Sequence, residues 1–144
     1  MDDLKIVELV SFSEDIISSF SSLMKELNSN SMATKERLRR VIEHPSIHQY
    51  VVKDSQEIVA CATLCVSYTP EKVIGFVEAV VVKESYRGRH LGRRLMERII
   101  SNSKDFGVQE IHLTSNPRRV AANGLYLSLG FEKYNTNCYH LKIE

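Results

Sequence analysis

Four arginines crowd one short stretch of this chain. Arg87, Arg89, Arg93 and Arg94 all fall within Val80-Val81-Val82-Lys83-Glu84-Ser85-Tyr86-Arg87-Gly88-Arg89-His90-Leu91-Gly92-Arg93-Arg94-Leu95. The β-branched run reads as a strand, the basic segment around Gly88 as a turn, and Leu91 onward as the first turn of an amphipathic helix. A helix start leaves backbone N–H groups without intrahelical acceptors, and the helix dipole adds positive potential there. Converging amides and guanidinium groups suit a phosphate-bearing ligand. Just upstream, Glu78 is the only carboxylate inside the apolar run Val73–Val82. A carboxylate there can take up or hold a proton, and burial among valines is expected to disfavour its ionised form.

The basic turn is not a Walker loop, because no Gly-Lys-Ser/Thr follows and Gly88 and Gly92 are separated by three residues rather than four. Nor is it the dinucleotide fingerprint, which needs three spaced glycines and a later acidic residue. A second informative stretch runs from Ile111 to Glu132: a strand, a polar turn containing Asn116 and Pro117, a short helix, and Gly130 as its stop. Asn123 and Tyr126 share one face of that helix by their spacing.

In this order, the two stretches resemble the two signatures of the GNAT superfamily of N-acetyltransferases. Arg87-Gly88-Arg89-His90-Leu91-Gly92 is similar to its pyrophosphate loop, Arg/Gln-x-x-Gly-x-Gly/Ala. Ala122-Asn123-Gly124-Leu125-Tyr126-Leu127-Ser128-Leu129-Gly130-Phe131 is similar to its Ala-x-x-Leu-Tyr-x-x-x-Gly-Phe segment. His90 departs from the pattern by standing where the family usually has glycine; His tolerates a positive φ better than most residues. The resemblance implies an α/β (α+β) architecture, the acyl-CoA N-acyltransferase fold, with a mixed central sheet of about seven strands flanked by about four helices. Residues 1–144 are then a single N-acetyltransferase domain. It implies acetyl-CoA as cosubstrate and an amine acceptor. Arg87, Gly88, Arg89, His90, Leu91, Gly92 and Arg93 would hold the diphosphate. Val80, Val81 and Val82 would line the pantetheine arm with Asn116 and Asn123, and the Val80 N–H would face the developing oxyanion. Tyr126, also beside the coenzyme, would protonate the departing thiolate, and Glu78 would be the base. Asn28–Met32, Tyr68 and Thr136-Asn137-Cys138-Tyr139 lie where the family builds its acceptor pocket. Arg118 and Arg119 are open to an anionic group on the acceptor, to the terminal phosphate of the coenzyme, or to solvent.

Several activities remain compatible with these residues: acetyl transfer to a primary amine of a small molecule in a ternary complex, transfer to a protein N-terminus or lysine, and acetyl-CoA sensing without catalysis. A nucleic-acid binder is disfavoured by a net charge of only +1. No apolar run approaches the roughly 18 residues of a membrane span, and the acidic N-terminus has no signal-peptide core. The expectation is a cytoplasmic protein without membrane or nucleic-acid partners. A homodimer through the C-terminal strands is implied by the resemblance.

The elements that must position these groups are legible in outline. Lys5–Val10 reads as a strand. Ser13 and Thr34 can cap two helices, the first carrying Ile16, Phe20, Leu23 and Leu27, the second Leu38, Val41 and Ile42. His48–Lys53, Ile58–Tyr68 and Val73–Val82 read as strands, the last two apolar on both faces. A helix over about Leu91–Phe106 joins Val73–Val82 to Glu110–Thr114, a crossover that implies parallel neighbours. Two strands near Glu132–Asn135 and Cys138–Ile143 would close the chain. Cys61 and Cys65 would share a strand face about 13 Å apart, too far for a disulfide; with Cys138 they read as reduced, mostly buried thiols. The five histidines show no metal-ligand spacing.

Overall fold

The structure, a computed structural model, describes residues 3–143. They form two compact parts, residues 3–114 and residues 115–143. In the first, the order is β1 (Leu4–Leu9), a 3-10 turn (Glu14–Ile16), α1 (Ile17–Leu27), α2 (Lys35–Glu43), β2 (Ile47–Asp54), β3 (Glu57–Tyr68), β4 (Val73–Val82), a second 3-10 turn (Glu84–Tyr86), α3 (Leu91–Asp105) and β5 (Glu110–His112). The sheet order is β1-β2-β3-β4-β5. The first three pairings are antiparallel and β4–β5 is parallel, as the α3 crossover requires.

Local chemistry explains the helices. Thr34 Oγ1 accepts from the Arg37 N–H at 3.2 Å and caps α2. Ser13 starts the 3-10 turn without a side-chain cap, and α1 begins only at Ile17. One sheet face packs Val51, Cys61 and Val81 against Ile16, Phe20, Leu23, Leu38 and Ile42. In α3, Leu91, Leu95, Met96 and Ile99 recur at helical spacing and are all buried. Asn102 Nδ2 donates to the Tyr50 hydroxyl at 2.9 Å and ties the helix to β2.

Two irregularities mark β4. Its pairing to β5 covers only Ile74–Phe76 against Glu110–His112, so from Val77 onward β5 no longer borders it. On the β3 side, Thr63 pairs with Glu78 and Cys61 with Val81, with a register shift between. Two steps on β3 thus match three on β4, a β-bulge at Ala79 and Val80. Ala79 adopts φ +50, an uncommon backbone for a residue with a Cβ.

The second part holds α4 (Val120–Ser128). The Phe131 N–H donates to Tyr126 O at 3.0 Å and the Gly130 N–H to Leu127 O at 3.1 Å, the Schellman arrangement. Gly130, at φ +98, ends the helix as its position suggested. The expected strands at 132–135 and 138–143 are not formed, so the described sheet has five strands rather than about seven. Alternation alone does not make a strand; a neighbouring strand must accept its N–H groups. Here Tyr139, Leu141 and Ile143 stay more than four-fifths exposed. Cys138 is exposed too, Cys61 is buried and Cys65 half-buried, which corrects the expectation of mostly buried thiols. Among the described residues no helix is long and apolar enough to cross a membrane, and no group of three or more acidic, His or Cys side chains could hold a metal.

Candidate active site

The basic loop forms around two left-handed residues. Gly88 sits at φ +81, and His90 at φ 61, ψ 24 as the residue before α3. At His90 the αL conformation is carried by histidine, which accepts it better than most side chains. His90 O accepts from the Arg94 N–H at 3.0 Å. The amides of Leu91, Gly92 and Arg93 precede the Arg94–His90 bond at the start of α3. Arg87, Gly88, Arg89 and His90 are exposed and Leu91 is buried.

The arginines do not all gather at this turn as expected. Arg94 Nη2 donates to Leu4 O at 3.4 Å, and Arg93 lies 3.9 Å from Glu97 one turn on. The loop keeps Arg87 and Arg89. Arg87 Nε donates to Val82 O at 3.1 Å, and its guanidinium stands 3.6 Å from Glu26. Glu26 also accepts from the Glu84 N–H at 2.8 Å, so one carboxylate of α1 pins both ends of the 3-10 turn. Arg89 stacks 4.9 Å over the Tyr86 ring. The Tyr86 hydroxyl donates to Asp54, a bond that pushes its pKa up and keeps its proton in place.

Upstream of the loop, the bulge shapes β4. The Cys61 thiol donates to Ala79 O at 3.5 Å. Full burial pushes that thiol up to about 12, so it remains a donor. In a trans peptide the C=O of Ala79 and the N–H of Val80 point in opposite directions. With the carbonyl turned to Cys61, the Val80 N–H points away from it, and neither residue has a Cα partner in β3. Val80 and Val82 are half-buried and Val81 is buried. One strand thus presents a freed amide, an edge without β5, and a direct run into the loop.

Glu78 is exposed, against the burial expected of it. Its strand neighbour is Thr63, and its charge helps raise the Cys65 pKa, after the larger effect of burial. Phe76, on the same face, is 39% exposed and lies 5.7 Å from the His112 ring. Tyr68 is exposed at the end of β3. In the loop between α1 and α2, Asn28 Oδ1 accepts from the Asn30 N–H at 3.0 Å.

In the second part, Asn116 organises the turn before α4. Its Oδ1 accepts from the Arg118 N–H at 2.9 Å, and its main-chain O from the Arg119 N–H and from Asn123 Nδ2, both at 3.0 Å. Asn123 retains its carbonyl and a second N–H for a ligand. Tyr126 is buried, with Phe131 edge-on at 5.9 Å. Burial raises its pKa, with a smaller lowering by Arg119, so the hydroxyl keeps its proton at neutral pH. Arg118 and Arg119 are exposed. The two groups of expected site residues, 78–93 and 116–126, thus lie one in each part. The sequence reading missed Glu26 and Cys61. Neither stands out locally; their partners are 18 or more residues away.

Comparison with known proteins fits this geometry. The family model described as "Acetyltransferase (GNAT) family" matches residues 12–131, running through both parts. Serotonin N-acetyltransferase 2, chloroplastic, of Oryza sativa subsp. japonica is 36% identical over 101 residues, covering 67% of this chain and 47% of that protein. The chain spans about half the length, or less, of the curated relatives it matches. A Trypanosoma brucei acetyltransferase structure superposes with a TM-score of 0.77 at 24% identity, covering 98% of this chain and 100% of that one. An aminoglycoside N-acetyltransferase, AAC(6')-Iy, in complex with CoA gives a TM-score of 0.76 at 14% identity, with 96% and 94% covered. Both share the fold.

Proposed function

The chain belongs to the GNAT family of acetyltransferases, and from that premise we propose that it moves an acetyl group from acetyl-CoA to a primary amine of a small molecule, by direct transfer in a ternary complex. One observation carries the proposal: β4 combines an edge that β5 leaves open, a bulge that turns the Val80 amide away from Cys61, and Glu78 two residues earlier, then leads through the basic loop into the N-terminus of α3.

The residues present suit acetyl-CoA. Leu91, Gly92 and Arg93 offer amides to its diphosphate, with Arg87, Gly88, Arg89 and His90 around them. The open edge of Val80–Val82 suits the amide-bearing pantetheine arm; in the second part, Asn116 and Asn123 offer amide groups of the kind that such an arm pairs with. Acetyl-CoA supplies a thioester whose C–S bond breaks as the C–N bond forms. An alkylamine, with a pKa of about 10.4, must first lose a proton. Glu78 takes it, directly or through water, and passes it to solvent. The Val80 N–H donates to the thioester oxygen as negative charge builds there. Tyr126 protonates the departing sulfur; the second proton lost by nitrogen restores the phenol. A thiol pKa of about 8.5 makes the demand on that acid modest.

The test is thiol release from acetyl-CoA over a panel of amines, with calorimetry of CoA binding. Release with one or more small amines supports the proposal. Tight CoA binding with release only on peptides moves the acceptor to protein. Absence of CoA binding heat, with a bulky substitution of Gly92 changing nothing, overturns it. A homodimer through residues 132–143 belongs to the same proposal, supported by the exposed Tyr139, Leu141 and Ile143 on alternate positions. A monomer mass by sedimentation at micromolar concentration removes it.

A further inference from the structure

A polar row crosses the apolar sheet on the face that carries Glu78. Gln49 of β2 is paired with Thr63 of β3, and Thr63 with Glu78 of β4. Val51 and Cys61, two residues along from Gln49 and Thr63, pack toward α1 and α2, so the row lies on that side of the sheet. Gln49 is 4% exposed and Thr63 8%. Polar side chains this deep in a sheet are held for a reason, and their hydrogen bonds have a fixed direction.

Gln49 Nε2 donates to two main-chain carbonyls, Tyr50 O at 3.2 Å and Ala62 O at 3.3 Å. Only the NH2 end of the amide can do this; turning it over would set oxygen against two oxygens. Gln49 Oε1 therefore faces Thr63 and accepts its hydroxyl proton at 2.8 Å. A hydroxyl has one proton and two lone-pair sites. With the proton committed to Gln49, Thr63 Oγ1 has only acceptor capacity left. Directly opposite residues on one sheet face have Cβ atoms about 5 Å apart, so this acceptor stands beside the Glu78 carboxylate, itself acceptor-only when ionised.

Two acceptors side by side suit a ligand with two donors on one atom. We propose that Thr63 and Glu78 together take the two N–H groups of a primary amine, with Gln49 as the positioning residue that keeps Thr63 an acceptor. Two N–H directions fixed at one nitrogen leave two tetrahedral positions, and with the carbon substituent in one of them the other carries the lone pair that must attack the thioester. The inference rests on the reading of Glu78 as the group that receives the amine, and it adds a selectivity: primary amines over their N-methyl derivatives, which offer one N–H after deprotonation. Thr63 exchanges no proton; it only accepts a hydrogen bond, so the proton balance given above is unchanged.

The experiment measures kcat and KM for propylamine, phenethylamine and spermidine and for the N-methyl derivatives of the first two. Wild type, Thr63→Val, Thr63→Ser, Gln49→Leu and Glu78→Gln are compared. Wild type should favour the primary amine of each pair by about tenfold, the scale of one hydrogen bond to a polar partner. Thr63→Val should lose that preference by slowing the primary amine about tenfold and the N-methyl amine little, with KM for acetyl-CoA unchanged. Thr63→Ser should keep it. Gln49→Leu, which frees the Thr63 proton to turn toward Glu78, should behave like Thr63→Val although Thr63 is intact, and it carries the test alone if Thr63→Val does not fold. An unchanged preference in both Thr63→Val and Gln49→Leu, with Glu78→Gln impaired, overturns this inference and leaves Glu78 standing. An active Glu78→Gln, or no primary amine acetylated by wild type, removes the Glu78 reading and this inference with it.

Discussion

The two halves of β4 make unlike use of the same kind of residue. Val73–Phe76 are bordered by β3 on one side and β5 on the other. Val77–Val82 have β3 alone, and the pairing there is interrupted at Ala79 and Val80. The first half is ordinary sheet, where burial and ladder hydrogen bonds add stability. The second gives up one neighbour and part of the other, and on the proposed reading its main-chain groups serve a ligand instead. Stability and chemistry are thus divided along a strand of ten residues, and substitutions in each half should separate them.

The largest effect is expected at Glu78. Glu78→Gln should lower kcat/KM for an amine by about 10²- to 10⁴-fold, the range of a lost general base, with the thermal midpoint nearly unchanged because the side chain is exposed. A fall in stability to match the fall in rate would erase the division. Tyr126→Phe should cost about 10- to 1000-fold in kcat. Because burial raises the Tyr126 pKa, any alkaline loss of kcat through this group should lie above the usual tyrosine value of about 10; a loss centred below it would count against Tyr126 as the acid. In the paired half the sign should reverse. A Cβ on Gly75 would lie 2.9 Å from Leu64 Cδ1 and 3.2 Å from Val108 Cγ1. Gly75→Ala should therefore destabilise by about 1–2 kcal/mol, read by chemical denaturation, while kcat stays near wild type. The smallest effect sharpens the boundary itself. Cys61→Ala removes the donor to Ala79 O and should slow kcat about two- to fivefold; Cys61→Ser restores a donor and should recover most of it. Equal rates for the two would remove Cys61 as the hold on the bulge.

What the residues disclosed in advance follows the range of the interactions involved. The strand–turn–helix around Arg87–Arg93 depends on local backbone preference, and its outline was legible, as was the tolerance of His90 for the positive φ it adopts. So were the parallel β4–β5 pair, forced by an intervening helix, and the stop at Gly130. The bulge was not, because an alanine at positive φ leaves no trace in composition; it depends on Cys61, 18 positions away. Glu78 was read as buried because its sequence neighbours are apolar, yet a strand that loses one neighbour exposes its side chains. The alternation in 138–143 promised a strand, and the described chain gives it none to pair with. Thr63 could have been noticed, since it interrupts an apolar run as Glu78 does, whereas Gln49 follows His48 and stands out less. Their link, across 14 positions, could not.

The extra residue at Ala79–Val80 also alters the reading frame of the sheet. Before it, the even-numbered Glu78 shares a face with Thr63; after it, the odd-numbered Val81 shares that face with Cys61. Deleting a single residue there would do more than remove one amide. Val81 and everything up to the basic loop would be turned inside out, valine to solvent and the chain's approach to α3 rotated by half a turn. Point changes along this segment should therefore be survivable where a one-residue deletion is not, and the length of the strand is under tighter constraint than its composition.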